Sequence, residues 1–227
     1  MADKKSNAVV PVDAPVLVIG LGRFGGATAN QLTELNRDVL AVDDDMTLVQ
    51  EWAEKVTHAV QADARSIDAL RQLGAADFSV AVVAVGSSVE ASVLITANLV
   101  DLGIPQIWAK AISRSHGTIL TRIGAHHVIY PEAEAGERVA HLLSGRLLDY
   151  IEFDDDFAIV KLRTPASMVG VTLGAAQVRK KYGITVLGVK APGSEFTYAT
   201  AETVVSSDDV IIASGKTADL EALARLD

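Results

Sequence analysis

Residues 16–32 read VLVIGLGRFGGATANQL, so that an apolar run is followed by three spaced glycines and then by a helical pattern. This order predicts a strand, a tight turn and a helix. Gly20 permits the turn, Gly22 lets a phosphate approach the backbone, and Gly25 lets the helix pack on the strand. The free N–H groups of a helix N-terminus favour an anion there. The stretch therefore predicts a nucleotide site, and the alternative is a glycine turn that serves packing alone.

Arg23 and Phe24 lie in the middle of this turn and raise a separate question. A turn that binds the pyrophosphate of a dinucleotide does not need a cation at that place. From the residues alone, Arg23 could also be a solvated turn residue.

Strand-like and helix-like segments alternate as far as residue 130. Short runs rich in Val, Ile and Ala, separated by helical segments, are typical of parallel strands buried on both faces. We expect an α/β fold, a Rossmann-like doubly wound parallel sheet followed by a small α+β domain. The predicted strands are 16–20, 39–43, 58–62, 80–86, 106–111 and 126–130, and the predicted helices are 24–35, 46–55, 67–73, 88–102 and 117–123.

A change of pattern near residue 150 predicts a domain boundary. A further helix is expected from Pro131 to about residue 148, followed by an acidic turn, IEFDDD. The predicted organisation is a flexible arm (1–14), a nucleotide-binding domain (15–150) and a C-terminal domain (151–227). In the last, we expect strands at 157–163, 184–190 and 210–214, helices at 173–182 and 218–226, and a turn at 191–196.

Composition excludes several classes of protein. The 227 residues carry a net charge of −9, which disfavours nucleic-acid binding because that needs a basic face. Cysteine is absent, so disulfides and thiol chemistry are excluded. No apolar run reaches the roughly 18 residues of a membrane span, and the N-terminus lacks the apolar segment of a signal peptide. We expect a cytoplasmic protein.

Acidic residues follow the second and third predicted strands. Asp43 lies 23 residues after Gly20, close to the spacing of a ribose-binding carboxylate. Asp44 and Asp45 are expected to be solvated or to cap the next helix. Asp63 could meet an adenine edge or a ribose, or could cap its own loop.

Further candidates follow the later strands. Val85, Gly86 and Ser87 would line the crevice at the strand ends, or form a plain turn. Lys110 could face a ligand phosphate or be an exposed strand-end lysine. From the residues alone, His116 is best interpreted as a capping or surface histidine, and Glu132 as an acid that complements a helix dipole.

Catalytic machinery is not visible in the sequence. None of the four tyrosines has a lysine four positions later, and none of the five histidines belongs to a convincing acid–base group. No spacing suggests a metal cage of histidine and aspartate. We therefore expect no enzymatic activity.

Several segments together resemble a known family. They are GLGRFGG (20–26), VLAVD (39–43), THAV (57–60), AVGSSVEAS (84–92), IPQIWAKA (104–111) and IGAHHVIYPE (123–132). They resemble the N-terminal domain of bacterial regulators of conductance of potassium (RCK), and most closely the cytosolic regulatory subunit of Ktr-type potassium uptake systems. GVTLGAAQVRKKYGITVLGVK and SSDDVIIASG resemble the small C-terminal domain of that family, so the resemblance covers about residues 15–227.

The resemblance implies a regulatory subunit without catalytic residues. Homodimers would assemble into an octameric ring beneath an integral-membrane potassium channel subunit, at the inner face of the cell membrane. ATP or ADP in the N-terminal domain would change the shape of the ring. Arg23 would reach the terminal phosphates, where a guanidinium forms charge-assisted hydrogen bonds, and Phe24 would be a packing residue.

The resemblance also assigns roles to individual residues. Asp43 would hold the ribose, Asp63 and Ala64 would line the adenine, and Glu132 would help to bind a divalent cation such as Mg²⁺ near the phosphates. The full set of candidate nucleotide-binding residues is Gly20, Gly22, Arg23, Phe24, Gly25, Asp43, Asp44, Asp63, Ala64, Val85, Gly86, Ser87, Lys110, Ala111, Ile112, His116 and Glu132.

Alternatives remain for the ligand and for the function. In relatives the C-terminal domain can bind cyclic di-AMP, but the match is looser there. The proline usual after the hairpin turn is missing from FTYATAETV. A Trk-type regulator that senses NAD(H) would share the fold, and an NAD-dependent oxidoreductase would share the glycines and Asp43.

Overall fold

The computed structural model describes residues 11–144, 147–153 and 156–225. The chain divides into two compact units, and the division falls between Glu132 and Ala133. Of the predicted N-terminal arm (1–14), the first ten residues lie outside the described part. Among the described helices, none combines the length and the apolar character needed to cross a membrane.

The first unit alternates strands and helices along the chain. Its strands are β1 (Val16–Ile19), β2 (Val39–Asp43), β3 (His58–Gln61), β4 (Val80–Val83), β5 (Gln106–Lys110) and β6 (His127–Ile129). Its helices are α1 (Arg23–Glu34), α2 (Met46–Trp52), α3 (Ile67–Gln72), α4 (Val89–Asp101) and α5 (Arg114–Ile123), and α6 (Pro131–Ser144) crosses the division between the units.

The six strands form one parallel sheet in the order β3-β2-β1-β4-β5-β6. Strand β1 is central, pairs with β2 and β4, and is buried along its whole length. The strand order reverses between β1 and β4, and open α/β sheets bind ligands outside the carboxyl ends of the strands at such a point. The predicted Rossmann-like sheet is confirmed, and it places the candidate site at this edge.

Helix α5 begins three residues before the predicted start at residue 117. Ser113 precedes it with extended backbone, and its Oγ accepts a hydrogen bond from the backbone N–H of His116 at 3.1 Å. This N-cap satisfies one of the free donors at the helix start. His116 therefore belongs to the first turn of α5.

The second unit contains a five-stranded antiparallel sheet in the order β10-β9-β11-β8-β7. Its strands are β7 (Leu147–Glu152), β8 (Phe157–Arg163), β9 (Thr185–Lys190), β10 (Thr197–Tyr198) and β11 (Val210–Lys216). Its helices are α7 (Leu173–Ala176), α8 (Val178–Tyr182) and α9 (Thr217–Ala224). The predicted small α+β domain is confirmed.

Three details around the second unit differ from the prediction. The helix expected to reach residue 148 ends as α6 at Ser144, because Leu147–Glu152 pairs with β8 as a strand and buries Leu147 and Tyr150. The helix expected over 173–182 is interrupted at Gln177, whose backbone is left-handed with a φ of 51°. The short edge strand β10 was not predicted.

The division between the units lies inside α6, earlier in the chain than the expected boundary near residue 150. This division of contacts does not test the limits of the predicted domains, 15–150 and 151–227, which stay predictions.

Candidate functional site

A cavity of about 650 Å³ lies in the first unit at the carboxyl ends of the strands. It lies at the edge of the sheet where the strand order reverses. Its lining includes fourteen of the predicted site residues, namely Gly20, Gly22, Arg23, Phe24, Asp43, Asp44, Asp63, Ala64, Val85, Gly86, Ser87, Lys110, Ile112 and Glu132.

The three glycines of the turn differ in what surrounds them. Gly20 has a φ of +95°, which a residue with a side chain rarely adopts. A Cβ atom at Gly25 would lie 1.8 Å from the carbonyl oxygen of Gly20, so the third glycine is required for packing. A Cβ at Gly22 would meet nothing within 4 Å. The turn is therefore open toward the cavity at the N-terminus of α1, where a phosphate would be favoured.

Asp43 links the end of β2 to the glycine turn. Its Oδ2 accepts a hydrogen bond from the backbone N–H of Leu21 at 2.6 Å, and its Oδ1 accepts one from the backbone N–H of Asp45 at 2.9 Å. Each carboxylate oxygen has a second lone pair, so these bonds leave acceptor capacity for ribose hydroxyls. Asp43 thus braces the turn from a position on the cavity wall.

Asp63 is held by a residue that was not predicted to belong to the site. Arg65 donates from Nε to Oδ1 of Asp63 at 2.8 Å and from Nη2 to Oδ2 at 2.9 Å. The backbone N–H of Arg65 also donates to Oδ1 at 3.0 Å, so Asp63 does cap its own loop. These hydrogen bonds from Arg65 hold the pKa of the Asp63 carboxyl below its ordinary value.

Lys110 and Glu132 form an ion pair in the cavity wall, with 2.6 Å between Nζ and Oε1. The Lys110 side chain is 11% exposed and that of Glu132 is 61% exposed. The bond from Lys110, together with the backbone N–H of Glu132 and the nearby charge of Arg23, holds the pKa of the Glu132 carboxyl below its ordinary value. Lys110 also lies 5.8 Å from the centroid of the Phe24 ring.

Arg23 is the first residue of α1 and is exposed. It forms no ion pair with any other residue in the described ranges. A cation at a helix N-terminus opposes the helix dipole, so this placement is unfavourable unless an anion lies nearby. Glu132 lies close enough for the charge of Arg23 to lower its pKa, but its carboxylate pairs with Lys110. Within the described ranges the cavity therefore has a cation outside an ion pair, beside an open helix N-terminus.

Three predicted site residues do not line the cavity. Gly25 packs against Gly20, and Ala111 is buried in the core behind the cavity wall. His116 is only 2% exposed, which corrects its interpretation as a surface residue. Its Nδ1 lies 3.4 Å from the backbone nitrogen of Ile112, and burial lowers its pKa. Its Nε2 is buried without a hydrogen-bond partner among the described residues.

Sequence reasoning missed several residues of the cavity. Arg65 follows Asp63 by two positions, but a single arginine in a loop has no motif that marks it. Asp45 lines the cavity and also caps α2, as expected, by accepting a hydrogen bond from the backbone N–H of Thr47 at 2.8 Å. The other missed residues are Ile19, Val42, Leu48, Ala62, Ala84, Ser88, Ala91 and Ile95.

Charge is unevenly distributed along the cavity. The aspartates lie near the ends of β2 and β3, namely Asp43, Asp44, Asp45 and Asp63. The cations lie elsewhere: Arg23 follows β1, and Lys110 is the last residue of β5. The two ends therefore favour different parts of a ligand: hydroxyl groups near the carboxylates, and phosphate near the cations.

The described residues contain no cluster of three or more histidine, aspartate or glutamate side chains suited to a metal ion. Glu132 is a single carboxylate already paired with Lys110. The residues of this cavity alone do not form a divalent-cation site, and a cation would need phosphate oxygens as further ligands.

Comparison with known proteins identifies two domains in the chain. Residues 16–131 match the TrkA-N domain, and residues 157–226 match the TrkA-C domain. Ktr system potassium uptake protein A of Bacillus subtilis is 36% identical over 205 residues, which is 90% of this chain and 92% of the relative. Protein C of the same system is 35% identical over 204 residues, with 89% and 92% covered.

Among solved structures, the RCK domain of GsuK superimposes with a TM-score of 0.65 at 21% identity. The match covers 95% of this chain and 49% of that chain, so the present chain spans about half of it. Because the two domain matches and the relatives cover most of the sequence, the chain belongs to the family of proteins with a TrkA-N domain followed by a TrkA-C domain, and it has the fold of an RCK domain.

Proposed function

We propose that this protein is the nucleotide-binding regulatory subunit of a potassium uptake system, in which ATP and ADP favour different conformations of an oligomeric ring. The observation that carries the proposal is the polarity of the cavity, with carboxylates at one end and a helix N-terminus with Arg23 and Lys110 at the other. The relatives named as Ktr potassium uptake proteins supply the biological context.

A nucleoside polyphosphate suits both ends of this cavity. Ribose hydroxyls would meet Asp43, and the phosphate chain would lie over the open turn at Gly22. Arg23 and Lys110 would then pair with phosphate oxygens through charge-assisted hydrogen bonds. The volume of about 650 Å³ is within the range of small-molecule sites.

The fold by itself does not choose between ATP and NAD(H). GsuK structures superimpose at 20% identity with a TM-score of 0.63 when bound to NAD, and at 18% with a TM-score of 0.50 when bound to ADP. Arg23 favours ATP in this chain. Its positive charge lies at the N-terminus of α1, where a triphosphate presents more negative charge than a pyrophosphate does. NAD(H) sensing is the second candidate.

Gating would follow from differential affinity. A ligand shifts a conformational equilibrium only if it binds the two conformations unequally. An interaction between Arg23 and a γ-phosphate that ADP lacks would supply such a difference, of about 1–3 kcal/mol. A homodimer, an octameric ring and a membrane channel partner belong to the proposal and rest on the resemblance.

A divalent cation would enter only together with a polyphosphate. Glu132 would be the protein ligand, and the cation would neutralise phosphate charge when bound. Since Lys110 now neutralises Glu132, it would have to move its hydrogen bond to phosphate first. Cation binding should therefore depend on nucleotide binding.

A second cavity, of about 440 Å³, lies in the C-terminal unit. It includes Arg179 and Lys180, and Thr185 and Thr200 supply hydroxyl groups. Cyclic di-AMP binding to this unit stays a prediction from the family resemblance.

Calorimetric titration of the full chain with ATP, ADP and NADH, each with and without Mg²⁺, tests the proposal by measuring the affinity for each nucleotide. We expect ATP and ADP to bind and NADH to bind more weakly. Strong NADH binding with weak ATP binding would instead support NAD(H) sensing. In cells that lack potassium uptake, the protein expressed with a Ktr channel subunit should restore growth at low potassium.

A further inference from the structure

We infer that Arg65 binds the base in the proposed nucleotide site by stacking its guanidinium plane on the nucleobase, and that Asp63 is the positioning residue that holds it. This inference rests on the proposed function. The inference gives a role to Arg65, which lies outside the glycine turn and which the domain matches do not identify as a site residue.

The position of Arg65 is defined by three contacts with one carboxylate. Two side-chain nitrogens reach the two oxygens of Asp63 at 2.8 and 2.9 Å, and its backbone N–H reaches Oδ1 at 3.0 Å. A bidentate pair of this kind brings the guanidinium and the carboxylate into nearly one plane. The edge of the guanidinium is occupied, and its faces remain available.

The loop that carries Arg65 is also anchored from α4. Asn98 donates from Nδ2 to the carbonyl oxygens of Arg65 at 2.9 Å and of Ala64 at 3.3 Å. The loop is thus fixed on both its side-chain and its backbone side. The Arg65 side chain nevertheless keeps 51% of its surface exposed, in the lining of the cavity.

The surroundings of Arg65 argue against a role as a phosphate ligand. Asp63 already pairs with its charge, and Asp44 and Glu90 lie close enough to raise its pKa further. Phosphate at this end would face the carboxylates of Asp43 and Asp44, whereas Arg23 and Lys110 lie at the other end.

The ligand part expected at this end is the base. Among the described residues that line the cavity, the only aromatic ring is Phe24, which lies beside Lys110 at the phosphate end. A base near β2 and β3 therefore has no aromatic ring to stack on. Arginine is weakly hydrated, planar and stacks on aromatic faces, so Arg65 offers the missing platform.

Asp63 is less suited to read the base directly. Both of its oxygens accept hydrogen bonds from Arg65, one of them twice. Its contribution is to fix the orientation of the guanidinium, so its loss should act through Arg65.

The test compares Arg65→Ala, Arg65→Lys and the control Arg71→Ala, each titrated calorimetrically with ATP and with inorganic tripolyphosphate. Arg71 is an exposed arginine on α3 that pairs with Asp68 and does not line the cavity. We expect Arg65→Ala to weaken ATP binding about tenfold and to change tripolyphosphate binding less than twofold. Arg65→Lys keeps the charge but loses the plane, so it should weaken ATP binding nearly as much.

Restoration of ATP affinity in Arg65→Lys, equal losses for ATP and tripolyphosphate, or unchanged ATP binding in Arg65→Ala would each overturn the inference. Failure of the wild-type chain to bind ATP would instead count against the proposed function. Thermal unfolding of each variant tests whether the variant is folded. If Arg65→Ala does not fold, the ATP affinity of Arg65→Lys tests the stacking role by itself.

Discussion

At the scale of single residues, the three glycines of the turn are chemically identical but have different physical roles. Gly20 provides a backbone conformation, Gly25 provides space for the carbonyl of Gly20, and Gly22 leaves the cavity open. Their spacing made all three predictable. The hydrogen bond from Leu21 to Asp43 was not, because it depends on how the end of β2 meets the turn.

Alanine at Gly25 should destabilise the protein, whereas alanine at Gly22 should not. A Cβ at Gly25 would lie 1.8 Å from the Gly20 oxygen, so Gly25→Ala should lower the unfolding free energy by about 2 kcal/mol or more. Gly22→Ala should stay within about 0.5 kcal/mol of wild type but weaken nucleotide binding. Urea unfolding measures both variants, and equal stabilities would show that the packing argument is wrong.

Burial of His116 predicts a pH dependence of stability. Its pKa is lowered in the folded chain, so the unfolded chain, with an ordinary value near 6.5, binds the proton more readily. Stability should therefore fall as the pH drops through 6.5 and below. Asn can replace the Nδ1 acceptor without titrating, so His116→Asn should show a shallower fall. Superimposable curves of unfolding free energy from pH 8 to pH 5 would contradict this.

At the scale of secondary-structure elements, the parallel strands were predictable and the elements around α6 were not. Strands β1 and β4 are continuous apolar runs, and β2 is apolar up to its last residue, a pattern that marks buried parallel strands. Strand β7 has only two buried apolar side chains, Leu147 and Tyr150, and lies directly after a helix. Its pairing with β8 decides its conformation, and pairing partners distant in the chain are not visible in a local pattern.

Within the second unit, the side chain of His141 on α6 contacts both α9 and β7. His141 Nδ1 lies 2.9 Å from Glu221 Oε1, and its ring stacks on Tyr150 with 4.1 Å between centroids. His141→Ala should lower the unfolding free energy by about 1–2 kcal/mol through loss of both contacts. His141→Phe keeps the stack and should lose less. Chemical denaturation compares the two, and equal losses would show that the stack contributes little.

At the scale of the whole molecule, the sequence predicted a Rossmann-like α/β unit, a small α+β unit and most of the cavity lining. The cavity brings together residues from the ends of β1, β2, β4 and β5 and from the loop after β3, which follows from the strand order of a doubly wound sheet. Arg65 and the pairing of Lys110 with Glu132 were outside such reasoning, because they depend on side-chain geometry.

The proposed ring makes a prediction about mass. Light scattering of the purified full chain should give about eight times the 23.9 kDa of one chain. A dimer would mean that the ring needs the channel subunit to assemble, and a monomer at micromolar concentration would contradict the ring.

The central claim is that the terminal phosphate is recognised at the Arg23 end of the cavity, and the ratio of ATP to ADP affinity tests it most directly. Calorimetric titration of wild type, Arg23→Ala and the control Arg71→Ala supplies the ratio for each chain. We expect ATP to be favoured in wild type and in Arg71→Ala, and Arg23→Ala to reduce that preference about fivefold or more. An unchanged ratio in Arg23→Ala, with ATP still bound, would contradict the account.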